Sequence, residues 1–214
     1  MASETQTRKR SVGILLFENV ELLDFAGPHE AFSAARRAEG GLFDVFTIAE
    51  RAGELRTPSG LRVVPDYTID NAPHIDILVV PGGMGTRREI DNERLIGWIE
   101  GQARQTEVMT SVCTGSFLLA KAGLLRGKRA TTHWGSIERM REVFPDTEVL
   151  ERVRWVDDGA VISSAGVSAG IDMALHVIER LCGTEAAASS ARLMEYDYWK
   201  PGDEPGPASA ARPT

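Results

Sequence analysis

The chain has 214 residues, 43% of them hydrophobic and 26% charged, and carries a net charge of -7 at neutral pH. That is enough chain for one well-packed domain and excludes a fibrous or wholly disordered protein. The acidic balance excludes a general nucleic-acid binder, and no run nears the ~18 apolar residues of a membrane span.

The opening MASETQTRKR is polar and lacks the apolar core of a signal peptide, so residues 1–10 are expected to be a flexible leader on a cytoplasmic protein with no membrane partner. Val12 to Phe17 (VGILLF) is a short continuous apolar run, the pattern of a strand covered on both faces. Gly27-Pro28 punctuates the chain, and Pro28 suits the first turn of a helix through Ala31, Phe32 and Ala35. Strands are expected at Phe43 to Ala49, Ile75 to Val80 and Val108 to Val112, with helices at Asn92 to Arg104 and Thr114 to Ala122. Thr57-Pro58-Ser59-Gly60 reads as the turn of a small peripheral hairpin. Further on come a short strand at Arg129 to Thr132, a helix at Ser136 to Val143, strands at Val153 to Val156 and Ala160 to Ser164, and helices from Ala169 and Thr184. Residues 201–214 (PGDEPGPASAARPT) lack apolar periodicity and read as a disordered tail, which leaves 11–200 as a single domain. The alternation is that of a doubly wound α/β domain with a mostly parallel sheet.

Only Cys113 and Cys182 are present, too few for a disulfide framework or a metal site. The strand VMTSV runs straight into Cys113-Thr114-Gly115-Ser116 and a helix follows at once, the context of a nucleophile elbow at a strand's carboxyl end. The helix N-terminus stabilises a thiolate by about 0.3–1 kcal/mol, which activates the thiol only in part; hydrogen bonds to sulfur have to do the rest. Cys182 sits before Gly183 at the end of an apolar helix and reads as structural.

Pro81-Gly82-Gly83-Met84-Gly85 follows an apolar strand at the same edge, and its backbone N–H groups are candidate donors for negative charge developing on a substrate. Asp24, in the apolar stretch LLDFAGP between the first strand and first helix, is a candidate acid/base, because desolvation there raises a carboxyl pKa. Glu21 is as near in sequence and reads as solvated. His133, in RATTHW, is a possible pocket residue or a satisfied structural group. No His comes immediately after Cys113, so a Cys-His dyad of protease or glutaminase type is not indicated.

In this order, LLDFAGP, VPGGMG, TSVCTGSFLLAKAGLL, RATTHW and VSAGID resemble the isocyanide hydratases of the ThiJ/PfpI group, within the class I glutamine amidotransferase-like superfamily. The likeness runs from about Val12 to Met194. Cys113 followed by Thr114, paired with Asp24 rather than Glu in the first loop, points to the hydratase branch. The resemblance implies a flavodoxin-like fold, Cys113 as nucleophile, Asp24 as acid/base, Thr114 as a hydroxyl neighbour, and Gly82, Gly83 and Val167 lining the site. It further implies a homodimer without cofactor, acting on a small electrophile. Met84 departs from the smaller residue that hydratases can carry there, which bears on pocket size. The rival readings are a cofactor-free glyoxalase or deglycase, and a ligand-sensing domain like that of transcription regulators with a CTG elbow, whose helix-turn-helix pair is not seen in this sequence.

Overall fold

The computed structural model describes residues 9–38 and 41–202. The chain opens with strand β1 (Arg10–Leu16), helix α1 (Leu22–Ala38) and strand β2 (Phe43–Ala49). A hairpin of β3 (Leu55–Arg56) and β4 (Arg62–Val63) follows, then β5 (Tyr67–Thr68) and β6 (Ile77–Val80). Next come α2 (Thr86–Glu89), α3 (Glu93–Gln102), β7 (Val108–Val112) and α4 (Gly115–Lys121). The chain continues with β8 (Arg129–Ala130), a 3-10 turn (Trp134–Ser136), α5 (Ile137–Val143), β9 (Glu148–Val149), β10 (Trp155–Asp158) and β11 (Val161–Ser164). Helices α6 (Ala169–Cys182) and α7 (Thr184–Leu193) complete it.

Seven strands form the central sheet in the order β10-β11-β7-β6-β1-β2-β5. All neighbours in it are parallel except β10 and β11. Strands β6 and β7 are buried at every position, as continuous apolar runs demand when helices cover both faces. Helices α1, α6 and α7 pack together on one side, and α3 with α4 on the other. The chain leaves β1 toward β2, then returns to β6 on its other side, so the order reverses between β1 and β6. A crevice opens at the carboxyl ends of strands beside such a reversal. The segments after β1, β6 and β7 carry Asp24, Gly82 and Cys113 respectively, and meet there.

The doubly wound parallel sheet and the hairpin around 57–60 are found as expected. Three details differ. Helix α1 starts at Leu22 rather than Pro28, so Asp24 lies in its first turn and Pro28 inside it. A proline there removes only the donor to the Asp24 carbonyl, a loss that packing of α1 against α6 and α7 offsets. Arg10, assigned to the leader, already belongs to β1, pairs with Phe43 and holds Glu107 at 2.7 Å. The expected strand at 129–132 is two residues long and pairs with β9 outside the main sheet. Residues 1–8 of the leader and most of the tail lie outside the described residues, although 201 and 202 form a turn in which the Gly202 N–H donates to Glu179.

Candidate active site

Strand β7 delivers Cys113 into the crevice with φ at 56°, the left-handed region that costs a non-glycine residue on the order of 1 kcal/mol. The backbone on either side holds that geometry. Its N–H donates to the Ser164 and Ala165 carbonyls at 3.2 and 3.1 Å. Its carbonyl accepts from Thr132 Oγ1 at 2.9 Å and Ser116 Oγ at 3.0 Å. Gly115 makes the following turn possible, since a Cβ there would fall 2.0 Å from the Val80 carbonyl oxygen. The elbow read from the sequence is therefore present, with Cys113 7% exposed.

Asp24 is fully buried against this elbow. The Gly82 N–H donates to its Oδ2 at 3.0 Å. Its Oδ1 has no partner at ordinary hydrogen-bond geometry, and the Cys113 thiol and Val167 N–H act on the carboxyl as looser donors. Burial dominates and pushes the Asp24 pKa up to about 7, with the Glu21 charge adding to the rise and the N–H donors opposing it. Burial, then the Asp24 charge, pushes the Cys113 thiol up to about 12, while the Thr114 N–H and hydroxyl pull it back. The two groups are coupled, and one negative charge is theirs to share. While Asp24 is ionised the proton stays on sulfur; once Asp24 holds a proton, its repulsion of a thiolate is gone.

The glycine loop does a different job from the one expected. Gly82 spends its N–H on Asp24, and Gly83 donates to Thr114 Oγ1 at 3.1 Å. Neither is an open donor for a substrate oxyanion; together they fix the carboxyl and Thr114. Thr86, which nothing in the sequence singled out, completes this brace with its hydroxyl 3.0 Å from Thr114 Oγ1 and 2.8 Å from the Gly83 carbonyl, to which it donates. Val167, at φ 52°, faces Asp24 through its N–H and also lines the site.

A cavity of about 360 Å³ opens above the thiol. Cys113, Thr114, Gly83 and Val167 form part of its wall, while Asp24 and Gly82 lie beneath it. His133 also lines it, with one ring nitrogen engaged by the backbone. Its Nδ1 accepts from the Gly135 N–H at 3.2 Å, and a Cβ on Gly166 would meet its Cδ2 at 2.4 Å. Glu21, read as solvated, lines the cavity instead. Phe117, Trp134 and Arg139 are further lining residues. Trp134 adjoins His133 in sequence, but nothing in its spacing separates a pocket residue from an exposed one. Cys182 is half-buried at the end of α6, remote in the fold from the elbow. Among the described residues no group of three His, Cys, Asp or Glu side chains could hold a metal ion, and no helix is long and apolar enough to cross a membrane.

The chain is 34% identical to the isonitrile hydratase of Pseudomonas putida over 93% of its own length and 84% of the relative's. It is also 34% identical to the HTH-type transcriptional regulator GbdR of Pseudomonas aeruginosa, spanning 88% of this chain but 51% of the regulator. Among solved structures it is similar to a THiJ/PfpI family protein from Pseudomonas syringae, with a TM-score of 0.80, 27% identity, and coverage of 94% and 82% of the two chains. The family model for DJ-1/PfpI matches residues 10–180, a span that holds every site residue described above. The chain belongs to the DJ-1/PfpI family.

Proposed function

We propose that this protein is a cysteine-dependent isocyanide hydratase, a hydro-lyase that adds water to an organic isocyanide to give the N-substituted formamide. The observation that carries the reading is the Cys113–Asp24 pair: a thiol at the floor of a cavity, with a buried carboxyl of pKa about 7 directly beneath it. The similarity to an isonitrile hydratase along nearly the whole of both chains supports it.

The chemistry needs one nucleophile and one proton carrier. As sulfur attacks the terminal isocyanide carbon, the thiol proton passes to Asp24 and from there to that carbon, leaving a thioimidate on Cys113. Water then adds to the carbon. One of its protons goes to the nitrogen and the other returns to the pair as the C–S bond breaks, releasing R–NH–CHO. The thiol need not be ionised at rest, because Asp24 takes its proton during attack. Thr86, Thr114 and the glycine loop position the pair.

The second reading, a ligand-sensing module, is favoured by the equal identity to GbdR. The two separate in one experiment. The pure protein is incubated with phenyl isocyanide and, separately, with methylglyoxal, and N-phenylformamide and lactate are followed. Formamide that disappears in Cys113→Ala supports the hydratase. Lactate alone supports a glyoxalase, and neither product supports a sensor.

A further inference from the structure

Two of the residues around the cavity are arginines, and neither has an acidic partner among the described residues. Arg87 lies on α2 and Arg139 on α5. Their neighbours are engaged: Arg88 holds Glu89 at 2.5 Å, and Arg141 holds Glu138 at 2.7 Å. The guanidinium of Arg139 instead lies 5.7 Å from the centroid of the Phe117 ring, a cation–π contact that keeps it at the cavity wall. Glu21 is the one carboxylate in the lining and makes an ion pair with neither arginine. In a chain with 31 acidic and 24 basic residues, two cations without an ion-pair partner among the described residues line one cavity. The lips of that cavity are apolar, with Trp134 77% and Met84 56% exposed. The wall thus offers an apolar surface for a flat body and a positive field for a charged end.

We propose that the cavity selects a small electrophile with an apolar body and an anionic end, its carboxylate held by Arg87 and Arg139 while the reacting carbon meets Cys113. Resting on the hydratase reading, the preferred substrate class is an isocyanide whose R group bears a carboxylate. A cleft lined by one sign of charge raises the rate of association of the opposite ion by about 10–10³. Two cations offset in part by Glu21 belong at the lower end of that range.

The test uses alkylating agents matched in shape and differing in charge, so that it does not depend on hydration. Wild-type protein is treated with 4-(bromomethyl)benzoate and with 4-(bromomethyl)benzamide at low salt, and the rate at Cys113 is followed by peptide mass mapping. The benzoate-to-benzamide rate ratio is expected to be about tenfold above that for 2-mercaptoethanol under the same conditions. Salt at about 0.5 M, and the double substitution Arg87→Gln with Arg139→Gln, should each bring it to within about twofold of the free thiol. A wild-type ratio equal to that of 2-mercaptoethanol, or a ratio unmoved by the double substitution, overturns the proposal. In parallel, formamide production from 4-isocyanobenzoate and 4-isocyanobenzamide is compared. Formamide from neither, with the alkylation preference intact, sinks the hydratase reading and leaves the anion site standing. Formamide from both without the alkylation preference does the reverse.

Discussion

The Gly82 N–H and the Asp24 Oδ2 are 3.0 Å apart, and a Cβ on Gly82 would lie 2.9 Å from that same oxygen and 2.6 Å from the Thr114 nitrogen. Glycine is required here by closeness, because its φ is not in the left-handed region. The contact ties the end of β6 to the start of α1 and sets how deeply the carboxyl sits under the thiol.

Gly82→Ala should therefore disturb the chemistry more than the fold. A displacement of about 1 Å in a reacting group costs roughly 10²-fold in rate, so kcat/KM should fall by about that factor while the far-ultraviolet circular dichroism is kept. Gly97→Ala is the control. Nothing lies within 4 Å of a Cβ on that exposed helical glycine, and the change should stabilise by about 0.5–1 kcal/mol with no loss of rate. Equal rates in both variants would remove Gly82 from the site.

Asp24→Asn keeps the shape and an acceptor for Gly82 but cannot carry a proton, so formamide production should drop by about 10²–10⁴. Thiol reactivity should move the other way. Removing the carboxylate removes a cause of the raised Cys113 pKa, which should fall below about 12, so alkylation by iodoacetamide at pH 8 should quicken. A variant with slower alkylation would show that the carboxyl helps the thiolate at rest.

The same residue gives a pH-dependent stability. The folded pKa of about 7 is above the unfolded value of ~3.9, so burial of Asp24 carries no ionisation penalty below about pH 4, and stability is lost as pH rises from there through about 7. The loss is on the order of 4 kcal/mol once the carboxyl is ionised in both states. Wild type and Asp24→Asn should be equally resistant to urea near pH 4, and the variant should be the more stable at pH 8. Parallel stability curves across that interval would contradict a desolvated carboxyl.

Cys113→Ala should abolish formamide release and leave stability within about 1 kcal/mol, whereas Cys182→Ala should cost at most ~1 kcal/mol and leave the rate unchanged. Burial raises the Cys182 pKa too, so exposure alone does not choose between the thiols. What distinguishes Cys113 is the carboxyl beneath it. A rate loss in the Cys182 variant would point to a site elsewhere in the fold.

Much of this arrangement was legible in the residues. VMTSV followed by CTGS specifies a buried strand that ends in a tight turn, and a strand's carboxyl end beside a sheet reversal is where ligands sit. The apolar neighbours of Asp24 announced its desolvation. Its place in a helix was hidden, because Gly27-Pro28 resembles a helix start and only the packing of α1 on α6 and α7 keeps the turn before it helical. The use of the glycine N–H groups was hidden for a different reason. Any βα loop offers donors, and whether a side chain from another element has already taken them is a long-range fact, as with Asp24 and Gly82, 58 residues apart. The lining from α5 and the 3-10 turn belongs to the same class. Arg139 and Trp134 look like ordinary surface residues until the elements around them are packed.

The sealing of Asp24 imposes a traffic rule. The donors that act on the carboxyl are the Gly82 N–H, at 3.0 Å, and more loosely the Val167 N–H and the Cys113 thiol, and of these only the thiol can hand a proton on. Under the proposed mechanism protons enter and leave the buried carboxyl in single file, through sulfur. A molecule attached to that sulfur closes the gate behind it, and for the lifetime of the adduct the carboxyl can trade only with what is attached. Asp24 is fully buried, so if the protein hydrates isocyanides as proposed, the hydrogen placed on the formamide carbon should be one that was on the pair before the gate closed.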